Sequence, residues 1–205
     1  MPSLLDPALL ALLRRQAGVV SRAQALRAGL TAGQVDRLVA RRRWTPLHPR
    51  VYLVADHPRT DEARVRAAVL WAGDDAVLGG LAALWWHGLV PVPPGTVALA
   101  VPRRCSDPPE GVAACPRAFR DGDVVTLRDL AVAVPPLALL DAAVEAGPDG
   151  PALIRALHAH VGLAELHGVA DRALGPASAH RLLADVSCTP AMHRPECGTD
   201  RNRYS

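Results

Sequence analysis

The sequence predicts an α+β protein, with a small helical unit in front and a mixed region of helices and short strands behind. Three observations predict it. Apolar residues recur at helical spacing through residues 4–43. Short β-branched runs lie between about 96 and 134, each bounded by Gly, Pro or Asp. Helical spacing returns from 135 onward.

The chain has 205 residues, half of them hydrophobic, which is enough for one large domain or two small ones. Residues 4–17 read as a helix with Leu5, Leu9, Leu12 and Leu13 on one stripe, closed by Gly18. Val19-Val20 lead into the next helix, with Val20 as a hydrophobic staple. Two helix starts then follow ten residues apart. Ser21-x-x-Gln24 and Thr31-x-x-Gln34 both have the form of a capping box, with Gly29 between them at the turn. The spacing predicts helices over 22–28 and 32–43. Residues 44–47 and 51–54 read as a hairpin turning at His48-Pro49-Arg50, with Pro46 restricting the first strand to an edge. Three helices and a hairpin make a winged helix-turn-helix, with Arg50 at the tip of the wing.

Asp56 to Thr60 break the pattern. A helix is expected from 61 to 72, and a second helical stretch capped by Asp74-Asp75 and ended by Gly88. Strands are expected over 96–101, 111–117, 123–126 and 130–134, and a helix over 135–145 with proline at its start. Further helices follow at 151–162, 163–174 and 177–184. The domain reading is a winged helix-turn-helix over 1–56, a mixed α/β domain over 57–184 and a disordered tail over 185–205.

Charge separates the two parts. Every basic side chain is arginine. Residues 1–60 hold ten arginines against Asp6, Asp36 and Asp56, about +7, while residues 61–205 hold thirteen against seventeen acids, about −4. A basic front on an acidic remainder points to a polyanion as the partner of the front. On a helical projection of 32–43, Val35, Leu38 and Val39 face inward. The opposite face carries Gly33, Asp36, Arg37, Ala40 and Arg41, with Gln34 at its edge. Small residues at 33 and 40 admit close approach of DNA. Arg37 or Arg41 can be bidentate to guanine, and Gln34 can read adenine. Thr31 and the free amides at the helix start suit a phosphate. Arg42 and Arg43 are expected on phosphates, and His48 and Arg50 on the backbone or minor groove.

Other chemistry is weakly signalled. Residues 76–102 are uncharged but are interrupted by glycines and prolines, so no span of about twenty helical residues crosses a membrane. No secretory signal precedes Cys105, Cys115, Cys188 and Cys197, and reduced thiols in a cytoplasm are expected. Cys188-x4-His193-x3-Cys197 supplies fewer than the four ligands a structural zinc needs, and no metal or other cofactor is expected. Asp121-Gly122-Asp123 reads as a turn, His87 as a packed histidine at a helix end, and His158, His160 and His167 as solvated. No nucleophile–base grouping or phosphate-binding glycine loop stands out, so no enzymatic activity is expected.

The segments LLRRQAGVVSRAQALRAGLTAGQVDRLVARRRWTPLHPRVYLVA, HPRTDEARVRAAVLWAGDDAVLGGLAALWWHGL and PPLALLDAAVE resemble the AbiEi-type antitoxins of type IV toxin–antitoxin systems, in their actinobacterial branch. The similarity covers about residues 9–175 and is most specific in the part ending HPRVY. It implies a winged helix that binds operator DNA before its own operon, and a short inverted repeat is the expected operator. It also implies a second domain that supports repression or antagonises a nucleotidyltransferase-like toxin. Many longer relatives continue into a Vsr-like endonuclease domain where residues 185–205 begin. A nuclease of that kind uses clustered carboxylates and usually a lysine, and this chain has no lysine. Two alternatives stand: a truncated or inactive relative of such a DNA-processing protein, or a module that neutralises a toxin without touching DNA.

Overall fold

The computed structural model describes residues 7–102, 107–174 and 183. It is an α+β protein with two sheets. The front unit contains α1 (Pro7–Arg15), β1 (Val19–Ser21), α2 (Arg22–Arg27), α3 (Ala32–Ala40), β2 (Trp44–His48) and β3 (Val51–Val54). Its sheet has the order β1-β3-β2 and is antiparallel throughout. This is the winged arrangement, with one strand more than the sequence announces. Val20 is not a staple: it pairs across β1 with Tyr52. Three residues carry too short a pattern to read as a strand; β3 supplies the hydrogen-bonding edge that makes them one.

β3 explains how this unit is held. Its four residues, Val-Tyr-Leu-Val, are all buried, because both faces of the strand are covered. Tyr52 and Val54 join Leu9, Leu13, Val20, Ala25, Leu30, Val35 and Trp44 beneath the helices. Val51 and Leu53 face the other way and pack with Val19 against Ala63 and Ala67 of α4 (Asp61–Ala72). The break read at 56/57 is thus a turn in the chain, with packing continuous across it. Gly18 sits at this seam. It has φ +79°, and a Cβ there would lie 2.2 Å from the His57 ring.

α4 is buried around most of its circumference, since Val65, Ala68 and Val69 belong to a second, larger core. That core is built on β4 (Val77–Leu78), β5 (Val97–Val101), β6 (Val112–Pro116), β7 (Val124–Leu127) and β8 (Leu130–Ala133), in the order β6-β5-β4-β8-β7. The β5–β6 and β4–β8 pairs are parallel and the others antiparallel. α5 (Gly80–Trp86), α6 (Pro135–Glu145), α7 (Gly150–Val161) and α8 (Leu163–Leu174) complete it, with a 3-10 turn at Gly147–Asp149. α6 is the central helix: Leu137, Ala138, Leu139, Leu140, Ala142 and Ala143 are all buried.

Asp74 and Asp75 do not cap a helix. They lie in the turn before β4, and α5 begins after Gly79 with no side-chain cap. Val77-Leu78 is a two-residue strand between β5 and β8, and burial among strands decides it against the helical spacing. Asp123 is in a turn, accepting from the Arg120 amide at 2.9 Å. His87 caps α5 and its Nε2 donates to the Ala133 carbonyl at 2.9 Å. His158 and His167 each bond a carbonyl of their own helix. Leu183 is buried in the second core. The rest of the helix expected at 177–184, the tail over 185–205, and Cys105, Cys188, His193 and Cys197 lie outside the described residues. Among the described residues no helix is long and apolar enough to cross a membrane, and no three potential metal ligands converge.

Candidate nucleic-acid interface

Both capping boxes form. The Ser21 hydroxyl accepts from the Gln24 amide at 3.1 Å, and Gln24 Oε1 accepts from the Ser21 amide at 3.0 Å. Thr31 and Gln34 do the same at 3.2 and 2.7 Å. Each box satisfies amides that a helix start leaves without partners. For α3 this fixes the helix and also commits part of its outward face. Gln34 Oε1 is committed, so the bidentate adenine contact expected of Gln34 would require opening the box. Its Nε2 donor remains. Thr31 keeps its hydroxyl proton, and the exposed amides of Ala32 and Gly33 have no intrahelical acceptor. Together they can hold an anion at the start of α3.

The inward and outward faces of α3 separate as the projection predicts. Val35 is fully buried, Leu38 and Val39 pack beside it, and Gly33, Asp36, Arg37, Ala40 and Arg41 are exposed. A Cβ added at Gly33 would meet open space. The fold therefore does not require glycine there, and helical propensity opposes it by about 0.5–1 kcal/mol relative to alanine. Arg37 Nε donates back to the Gly33 carbonyl at 3.1 Å. That bond orients the guanidinium while leaving both terminal nitrogens for a bidentate acceptor.

α3 is shorter than its spacing suggests. It stops at Ala40, with Arg41 as the cap and Arg42 in the left-handed region at φ +55°. The Arg42 amide donates to Val39 and the Arg43 amide to Leu38, both at 2.9 Å, which closes a Schellman motif. α2 ends with the same pair of bonds, but Gly29 (φ +89°) holds the left-handed position there. An arginine at that position costs backbone strain that glycine avoids. Arg50, at the tip of the wing, is likewise left-handed at φ +63°. Among the described residues the side chains of Arg41, Arg42 and Arg50 have no protein partner and are exposed. Arg43 differs: it lies 3.5 Å from Asp56, an exposed pair that partly neutralises it.

His48 is half-buried in β2, and burial, aided by the charge of Arg59, holds its imidazole below the usual histidine range. That shift disfavours the charged ring and so weakens His48 as an ionic partner for phosphate. Arg22 is a residue the sequence reading missed. It opens α2 and grips Asp36 of α3, Nη1 to Oδ1 at 2.6 Å and Nη2 to Oδ2 at 3.3 Å. Asp36 lies below the ordinary carboxylate range because of Arg22, and Arg22 is raised by Asp36 and then by Tyr52. The contact spans fourteen residues. Nothing in one-dimensional spacing pairs these two side chains.

A separate hollow of about 670 Å³ lies between β5–β6 and helices α6 and α8. Its charged groups are mostly turned on one another, Arg117 to Asp141 at 2.5 Å and Arg172 to Asp123 at 3.9 Å. Glu145, on the same wall, is raised by burial and by Asp141.

No protein-family model matches the chain, and no curated protein matches it significantly. Among solved structures, the crystal structure of the RV2827C protein from Mycobacterium tuberculosis matches at a TM-score of 0.57 and 16% identity, covering 87% of this chain and 74% of that one. At that identity the match shows a shared fold over most of both chains.

Proposed function

We propose that this chain is a DNA-binding transcriptional regulator that binds without catalysing, with α3 in the major groove and the wing beside it. One observation carries the reading. Arg37 and Arg41 are exposed one turn apart on a face flanked by Gly33 and Ala40, and Arg42 and Arg50 extend the unpaired positive charge at either side. The face is built for close approach to a polyanion: small residues where the backbone would meet it, and guanidinium forks with free donors. Thr31 and the amides of Ala32 and Gly33 add a phosphate seat at the helix start. Phosphate contacts supply affinity, and Arg37 with Arg41 supplies sequence preference.

The resemblance of residues 9–175 to AbiEi-type antitoxins extends the reading. The DNA is then an operator before the chain's own operon, and a nucleotidyltransferase-like toxin is the protein partner, all in the cytoplasm. The test is binding of the purified protein to its upstream DNA at several salt concentrations. Affinity is expected to fall by about 0.9 log unit per log unit of salt for each phosphate neutralised. No binding at low salt overturns the DNA reading. A neighbouring gene product that neither resembles a nucleotidyltransferase nor is inhibited by this protein overturns the antitoxin extension alone.

A further inference from the structure

One acid stands on the outward face of α3. Asp36 is exposed beside Arg37 and one turn from Ala40. A carboxylate on a surface that meets phosphates repels them, and at about 6 Å in water a unit charge opposes each by about 0.7 kcal/mol, less with salt. Asp36 is not needed by the core, since it is exposed, and α3 is already capped at both ends without it.

Arg22 meets it fork to fork, one guanidinium nitrogen on each carboxylate oxygen. The side chain is set in place from behind. The Arg22 amide donates to the Arg50 carbonyl at 2.7 Å, and Ser21 caps the helix that Arg22 begins. Arg22 is 26% exposed, against 64% for Asp36, so the arginine is the inner member of the pair.

We propose that Arg22 is a positioning residue for the DNA-reading face, which neutralises Asp36 and holds it flat against α2 without itself touching DNA. This rests on the DNA reading above. Arg22 sits at the junction of the wing, α2 and α3: one backbone bond ties it to the wing tip and two side-chain bonds tie it to the reading helix. The free arginines then act on phosphates with no opposing charge beside them, and the angle between α2 and α3 is fixed at the surface as well as in the core.

The experiment is a double-mutant cycle on the full chain, reading affinity for a fixed duplex and its salt dependence beside thermal melting. Arg22→Ala and Arg22→Gln are expected to weaken binding about threefold to tenfold at low salt. Asp36→Ala is expected to strengthen it. In the double variant Arg22→Ala/Asp36→Ala, affinity returns to within about twofold of the parent with an unchanged salt slope. If the double variant stays as weak as Arg22→Ala and its salt slope drops by about one, Arg22 is itself a phosphate contact and the proposal is wrong. Arg22 variants that bind as the parent does also overturn it. A parent protein that binds no duplex at low salt overturns the DNA reading and this inference with it, whereas parent binding without rescue overturns the inference alone. Melting separates a folding defect, because loss of an exposed pair leaves it nearly unchanged.

Discussion

Arg41, Arg42 and Arg50 of the front unit and Arg64, Arg66 and Arg128 around the second core are the same residue in opposite situations. Around the second core Arg64, Arg66, Arg117 and Arg128 are bound by the protein. Arg66 is 4% exposed; its Nε donates to Glu62 at 2.9 Å and an Nη to the Arg128 carbonyl at 3.1 Å. Arg66 and Arg128 lie over the Trp86 ring at 5.2 and 4.0 Å, and Arg128 also donates to the Trp86 carbonyl. Arg64 closes on the carbonyls of Pro94 and Gly95 at 2.5 and 3.1 Å. In the front unit Arg41, Arg42 and Arg50 find no such partner among the described residues; Arg42 and Arg50 occupy left-handed backbone, as Arg128 also does at φ +50°. A guanidinium is a costly thing to order. Where the protein satisfies its donors, the arginine is structural. Where the donors stay free, the arginine is available to a partner, and the proposed function uses it so. Without any lysine, residue type cannot distinguish the two roles; only the partners can.

The largest expected effect tests the structural half. Trp86 is 1% exposed, its indole N–H donates to the Leu127 carbonyl at 2.9 Å, and two guanidiniums rest on its ring. Trp86→Ala is expected to cost about 3–5 kcal/mol in denaturant unfolding. A loss below about 1 kcal/mol would mean that this cluster is not what ties α4 and α5 to the β7–β8 hairpin.

The next effect divides the free arginines. Arg37→Ala is expected to lose about 1–3 kcal/mol of discrimination between sequences. Arg43→Ala, already half-spent on Asp56, should weaken all duplexes alike and slightly. Equal behaviour of the two in a competition assay would show that α3 is turned differently in the groove.

Smaller and opposite in sign are two changes that favour the local backbone conformation, one by helix propensity and one by removing strain. Gly33→Ala should stabilise by about 0.5–1 kcal/mol, and Arg42→Gly by up to a similar amount, in thermal melts. Both should weaken DNA binding. Stabilisation with undiminished binding would remove the argument that these positions serve a partner.

The smallest effect concerns pH. The folded pKa of His48 lies below its ordinary value of 6.5. Above that value both states are neutral and nothing is lost. As pH falls through it, the unfolded chain takes up a proton that the folded chain resists, so stability declines toward the folded pKa. His48→Gln should flatten this part of the curve in melts between about pH 8 and pH 5. An unchanged slope would place the charge elsewhere.

The starts of α2 and α3 were legible because capping is local, whereas α5, which has no side-chain cap, was misplaced. Four residues contain both partners of each box, and Thr31 and Gln34 need nothing from elsewhere. The inward face of α3 was legible for the same reason, as were α6 and α8, whose bounds match the expected ones. β1 and β4 were not. Two or three residues become a strand only when β3, or β5 and β8, lie beside them. The site divides the same way. Spacing alone placed Arg37 and Arg41 on the exposed face, but gave the Gln34 carbonyl oxygen a freedom that its own cap removes.

The sequence by itself determined where α2, α3, α4 and α6 begin, which side of α3 is apolar, and that the front of the chain is basic, since each follows from composition or from neighbours within one helical turn. Only the tertiary structure decided which arginines are free. That depends on distant groups: Asp36 for Arg22, Trp86 for Arg128, Asp56 for Arg43. A charge's role is fixed by what the folded chain brings within about 4 Å of it, and that contact is long-range in sequence.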